Sequence, residues 1–154
     1  MAILRALKEE TILPSLNALT KEGVLLELAD LLAFQFPFLD KQAVFKTLME
    51  RERLGSTGIG EGIAIPHGKM KGQNEMFVCF AKSSDGVQFE SIDGRPAHLF
   101  FLLLAPEEAA EPYLRVLGQI TRFLKRGDIR AKLMKATSAP EIMTIFTETG
   151  LTQT

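Results

Sequence analysis

Six of the chain's twelve glycines fall within residues 55–72, and one histidine, His67, stands among them. Glycine is costly to order, so it is kept where the backbone must take positive φ or come close to something. Successive peptide N–H groups in such a stretch can form a concave anion site, and Ser56 and Thr57 add hydroxyls to it. Phosphate is the usual guest of such loops. An imidazole beside anion donors suits nucleophilic chemistry at phosphorus, because its neutral form is present near pH 7. Phosphoryl transfer then asks the protein mainly for positioning and for charge stabilisation. From these residues alone two readings of His67 stay open, a phosphoryl acceptor and a structural or solvated loop histidine. Pro66 restrains Ile65 to an extended conformation and presents His67 just beyond a short strand over 63–65.

Two nucleotide motifs fail on spacing. A P-loop needs G-x-x-x-x-G-K-[ST], but the glycine before Gly68-Lys69 is Gly62, one residue too far, and Met70 follows. A dinucleotide fingerprint needs G-x-G-x-x-G, which Gly58-Ile59-Gly60-Glu61-Gly62 does not supply. Around the histidine, Glu61 either tunes the imidazole or is a solvated loop carboxylate. Lys69 is either an anion attractor or ordinary exposed lysine. Ser56 and Thr57 either reach phosphate or cap the turn. A partner surface is expected to include Ile59 and Ile63 with nearby phenylalanines.

The elements that must hold this stretch follow from periodicity. One or two helical turns are expected over 3–8 and an extended piece over 11–16, edged by Pro14. Thr20 is an N-cap, with Leu25, Leu28, Leu31 and Leu32 at helical spacing, and that helix fades before Pro37. Asp40 caps a second helix with Val44, Phe45, Leu48 and Met49 as its buried stripe. Arg51 and Arg53 close it, where cations suit the helix dipole. Residues 76–81 read as a strand, Val87 and Phe89 as part of another, and Asp93-Gly94 as a turn. The apolar run 98–105 marks a central strand buried on both faces. Residues 107–125 are helical with Leu114, Leu117 and Ile120 facing in, and two shorter helices follow over 128–135 and 140–147. These elements predict an α/β (α+β) fold, a mixed sheet sandwiched between helices in a single three-layer domain over 1–154.

Composition narrows the function classes. Apolar residues make up 46% and charged residues 24%, as in ordinary globular chains. The net charge of -1 leaves no cationic excess for a nucleic-acid backbone, so no nucleic-acid partner is expected. The longest strongly apolar run, 99–105, is far short of a membrane span, so no membrane insertion is expected. Cys79 stands alone, which suggests a reducing, cytoplasmic setting. One Cys and two His make a dedicated metal site improbable, and no cofactor is expected. Cys79 and His98 read as structural residues of strands.

The stretch Arg51-Glu52-Arg53-Leu54-Gly55-Ser56-Thr57-Gly58-Ile59-Gly60-Glu61-Gly62-Ile63-Ala64-Ile65-Pro66-His67-Gly68-Lys69 resembles the active-site segment of the fructose/mannitol class of enzyme IIA domains. These belong to the bacterial phosphoenolpyruvate-dependent sugar phosphotransferase system. The run Gly-Ser-Thr-Gly-Ile-Gly is most similar to the nitrogen-regulatory branch. Residues 89–94 and 102–106 are similar to the family as well. The resemblance implies that His67 is phosphorylated from a histidine of HPr or its nitrogen-branch relative, and that Arg51 approaches the phosphate. A bidentate guanidinium suits that role. It also implies a regulated protein or a IIB domain as the next partner. The branches differ in output: a nitrogen-branch regulator, a binding module with impaired transfer, or the IIA subunit of a sugar transporter. The chain departs from the pattern at one place. The family usually carries a second histidine near the start of the helix after Leu-Leu-x-x-Pro; here the stretch is Tyr113-Leu114-Arg115, and either Arg115 or Tyr113 could donate in its stead.

Overall fold

Strands in this protein alternate their apolar side chains to two different cores, and the helices divide accordingly. The computed structural model describes residues 6–108 and 110–148. In chain order they form β1 (Ile12–Leu13), α1 (Lys21–Gln35), α2 (Lys41–Arg53), β2 (Gly58–Gly60), β3 (Ile63–Ala64), β4 (His67–Met70), β5 (Phe77–Val87), β6 (Ala97–Pro106), α3 (Ala110–Leu124), α4 (Gly127–Lys135) and α5 (Ala139–Glu148). Of the helical turns expected over 3–8, residues 3–5 lie outside the described ones.

The strand order is β1-β5-β6-β3-β2, with β4 also on β6. β6 runs antiparallel to β5 and parallel to β3 and β4, so the sheet is mixed. Along β5 and β6, Val78, Phe80, Phe101 and Leu103 point to one core with Tyr113, Ile120, Ile129, Leu133, Ile142 and Phe146. Cys79, Ala81, Phe100, Leu102 and Leu104 point to the other with Val24, Leu28, Leu32, Val44 and Leu48. Period-two alternation thus places α3–α5 on one face and α1–α2 on the other. The central strand expected over 98–105 is β6, and its continuous apolar run reflects burial from both sides.

Both predicted caps are present. Thr20 accepts from the Gly23 N–H at 3.1 Å and Asp40 from the Gln42 N–H at 3.3 Å. The extended piece expected over 11–16 shrinks to β1, which stops at Leu13 immediately before Pro14. The two strands expected over 76–81 and around 87–89 are largely one, β5, whose register on β6 shifts between Lys82 and Val87. Gly86, at φ 84°, makes that irregularity, and a side chain there would strike His98. In α3 the inward stripe is Tyr113, Val116, Ile120 and Phe123, and Leu114 is 66% exposed. Ile120 faces in as expected and Leu117 packs partly buried against the same core, while Leu114 gives way to Tyr113. The large ring of Tyr113 takes the inward position that the smaller leucine was expected to fill. Ile63 is fully buried, so it lies in the core and not on a partner surface, while Ile59 is half-buried at its edge.

Candidate functional site

The histidine does not sit in a free loop. β3 and β4 lie end to end along one edge of β6 in unbroken register, Ala64 opposite Phe100 and His67 opposite Leu103. Pro66 falls between them; it has no N–H to give, but its carbonyl accepts from the Leu103 N–H at 3.0 Å. The glycine-rich stretch is therefore a set of very short strands, and His67 opens one of them. Gly68 has a packing reason: a Cβ there would stand 2.6 Å from the Thr47 methyl, so only glycine lets β4 lie this close to α2. That approach brings Arg51, in the last turn of α2, to the histidine.

The hydrogen bonds of His67 settle its protonation. Nδ1 lies 2.7 Å from the Ile65 carbonyl, which can only accept, so Nδ1 carries the proton. Arg51 Nε lies 3.2 Å from Nε2 and can only donate, so Nε2 presents its lone pair. Burial of the ring lowers its pKa below the ordinary 6.5; the Ile65 carbonyl opposes this, the Arg51 cation adds to it, and Glu52 opposes it. The result is a neutral imidazole with a directed nucleophilic nitrogen. Arg51 also donates from Nη1 to the Gly55 carbonyl at 2.9 Å, which fixes its fork.

From the opposite helical layer, Tyr113 packs its ring 5.8 Å from the imidazole, centroid to centroid. Lys69, two residues along β4, holds its ammonium 5.3 Å from the centre of that ring. Arg115 does not join them. It is exposed and pairs with Glu111 at 2.8 Å on the outside of α3. Of the two residues weighed for the missing histidine, the fold brings Tyr113 to His67.

The expected nest of free N–H donors is largely spent within the loop. The Thr57 N–H donates to Glu52 at 3.1 Å, the Gly58 N–H to Ser56 Oγ at 3.0 Å, and the Glu61 N–H to Asp93 at 2.9 Å. The Ser56 hydroxyl donates to the Phe89 carbonyl at 2.6 Å, and the Thr57 hydroxyl to Glu52. Polar groups buried in so tight a turn must find partners, and the chain supplies its own. Ser56 and Thr57 therefore hold the turn. Glu61 takes φ 58° and pairs with Arg130 of α4 at 3.3 Å, turned to the α4 layer. Asp93, receiving the Glu61 and Arg95 N–H groups, has its carboxyl pKa lowered by them.

Glu52 went unnoticed in the sequence. It is buried beside Arg51, accepts both Thr57 donors, and pairs with Lys21 of α1 at 2.7 Å. A carboxylate in the last turn of a helix opposes the dipole, and that misfit was the available signal. His98 donates from Nδ1 to the Ser83 carbonyl at 2.9 Å, which fits a structural histidine. Cys79 is fully buried and its thiol pKa is pushed well up by that burial.

Residues 5–149 match the family described as phosphoenolpyruvate-dependent sugar phosphotransferase system, EIIA 2. The chain belongs to that family. This EIIA chain is 41% identical over 146 residues to a nitrogen regulatory protein of Bradyrhizobium diazoefficiens, covering 95% of each. It is 38% identical over 148 residues to the fructose-specific EIIABC component of Bacillus subtilis, covering 96% of this chain but 23% of that one. Its structure resembles that of the nitrogen regulatory protein IIA-Ntr from Neisseria meningitidis, with TM-score 0.89, 34% identity, and coverage of 94% and 99%. The expected family and fold are thereby borne out, and so is a phosphotransfer-carrier role within the phosphotransferase system. Among the described residues, no helix of the EIIA chain is long and apolar enough to cross a membrane.

Proposed function

We propose that this single-domain EIIA chain carries phosphate on Nε2 of His67 and acts chiefly as a nitrogen-branch regulator in the cytoplasm. The observation that carries this reading is the pair of hydrogen bonds that leaves Nε2 as the open nucleophile beside a guanidinium. The donor is a phosphohistidine of an HPr-type protein. As the Nε2 lone pair forms the new N–P bond, the donor's N–P bond breaks and its electron pair returns to the donor imidazole. No proton has to move, because Nδ1 keeps its hydrogen on the Ile65 carbonyl. Positive charge that develops on the ring is shared with that carbonyl. Arg51 must release Nε2 for the attack, and its Nε–H then turns to the phosphoryl oxygens. In transfer onward to a IIB domain, a nucleophile of that domain forms the new bond to phosphorus while the His67 N–P bond breaks and its electron pair returns to Nε2.

The regulatory output rests on likeness across nearly the full length of the Bradyrhizobium protein. A phosphate adds roughly two negative charges at His67, so a partner can distinguish the two states. The fructose-specific relative keeps a second reading in view, a IIA unit feeding a sugar transporter. The test is incubation with phosphoenolpyruvate, the first enzyme of the system and an HPr-type donor. The expected product is one acid-labile, base-stable phosphate per chain, absent from His67→Ala. No label on the wild type, or full label on His67→Ala, overturns the reading. Transfer of that label to a fructose IIB domain at the rate of its loading would favour the sugar branch.

A further inference from the structure

Tyr113 packs its ring against His67 and carries a polar group at the end of that ring. Tyr113 is 6% exposed, its ring faces the imidazole at 5.8 Å, and Lys69 holds the ring from the same face of β4. Yet its hydroxyl makes no hydrogen bond among the described residues, although a nearly buried tyrosine ordinarily finds one. Nor is it a sealed, orphaned oxygen: among the described residues the one fully buried side-chain polar atom without a partner is Ser91 Oγ. Arg51 bonds the same imidazole against which Tyr113 packs, so guanidinium and phenol ring both adjoin His67.

We propose that Tyr113 is a phosphate-binding residue of this chain, its hydroxyl donating to a phosphoryl oxygen on His67 while its ring shields the N–P bond from water. This rests on the phosphohistidine reading above and deepens it. The hydroxyl is idle in the unphosphorylated protein because its partner arrives with the phosphate. Arg51 and Tyr113 then hold the group from opposite helical layers, one from α2 and one from α3.

The chemistry of the donor has a consequence. An imidazole in this place would gain and lose a proton near neutrality. A phenol does not, and burial pushes that of Tyr113 up to about 12, against the opposing pull of Arg51. The hydrogen bond to phosphate therefore persists from about pH 7.5 to about pH 9, above the second pKa of the phosphoryl group at about 6, and retention of phosphate in that range should owe no pH dependence to this contact.

Tyr113→Phe removes only the hydroxyl. It breaks none of the hydrogen bonds among the described residues, so thermal stability should stay close to that of the wild type. A hydrogen bond to a charged group is lost in the phosphorylated state, which corresponds to about a ten- to hundredfold effect. The experiment measures labelling of the full chain by a phosphorylated HPr-type donor, and spontaneous loss of the label, from about pH 7.5 to about pH 9, where the phosphoryl group is already fully ionised. Expected for Tyr113→Phe are a fall in kcat of at least tenfold with KM unchanged, faster loss of label, and a variant-to-wild-type ratio that is flat with pH. Arg115→Ala should match the wild type throughout. Rates for Tyr113→Phe within twofold of the wild type, or a ratio that changes with pH, would overturn the assignment. Failure of the wild type to label at all would instead overturn the carrier reading on which it rests.

Discussion

Replacing Glu52 by glutamine should destabilise the protein far more than a helix-end surface carboxylate would. The side chain is 3% exposed, and Lys21, which pairs with it at 2.7 Å, is 15% exposed, so solvent screens the pair little. Its two oxygens face the Lys21 ammonium, the Thr57 N–H and the Thr57 hydroxyl, all donors. A glutamine of the same shape offers one oxygen and turns an NH2 group toward another donor. The loss of a charge-assisted hydrogen bond costs about 1.5–3 kcal/mol. Leaving the Lys21 cation without its buried partner raises that toward about 3–5 kcal/mol, the cost of breaking buried pairs. Because Lys21 also reaches Glu90 at 3.2 Å, it keeps one carboxylate, and the estimate settles at roughly 2–4 kcal/mol. Urea unfolding of wild type, Glu52→Gln, Lys21→Met and the double variant measures it. The double variant should cost less than the sum of the singles by more than about 1 kcal/mol, as for residues in one network. A Glu52→Gln loss under about 0.5 kcal/mol, or strict additivity, would refute the claim that this network holds the turn.

Further outcomes follow from the same geometry. Gly68→Ala should cost about 1–3 kcal/mol by forcing β4 from α2 and should slow labelling, and Thr47→Ser, which removes the opposing methyl, should restore both. Measurement is by unfolding and phosphoryl loading, and a failure of Thr47→Ser to rescue would show that the contact is not the cause. His67 should titrate below 6.5 by NMR, chiefly through burial, and Arg51→Met should move its midpoint upward by removing a nearby cation. With the folded pKa lowered, the unfolded chain takes up the proton first as pH falls. The stability tied to His67 is thus fully present above about pH 6.5 and is lost as pH drops from there through the folded value. A midpoint at or above 6.5 in the wild type would contradict the tautomer and burial argument.

Much of the scaffold was legible because its signals are local. Thr20 and Asp40 announce their helices by side-chain capping, and the run through β6 announces burial on both faces. His67 stood out by its glycine-rich setting and Arg51 through the family resemblance, and the fold sets the two in direct hydrogen bond. What stayed hidden depends on partners distant in sequence. Pairing of His67 with Leu103 joins neighbouring strands far apart in sequence, and no loop composition reveals it. The phase of α3 turned on whether Tyr113 or Leu114 faced inward; a 3.6-residue period admits both, and only the space beside His67 favours the ring. Glu52 looked like one more charge at a helix end until Lys21 and Thr57 closed around it. The glycines were read as an open anion nest, whereas Glu52, Ser56 and Asp93 take up the N–H groups of Thr57, Gly58 and Glu61.

The most direct test of the account is the atom to which phosphorus bonds. The chain, labelled with 15N in its histidines and phosphorylated by an HPr-type donor, can be read by two-dimensional NMR of the imidazole nitrogens. The account predicts a single phosphate on His67 Nε2, with Nδ1 still protonated on the Ile65 carbonyl and His98 unchanged. Phosphate on Nδ1, on another residue, or on none would contradict it.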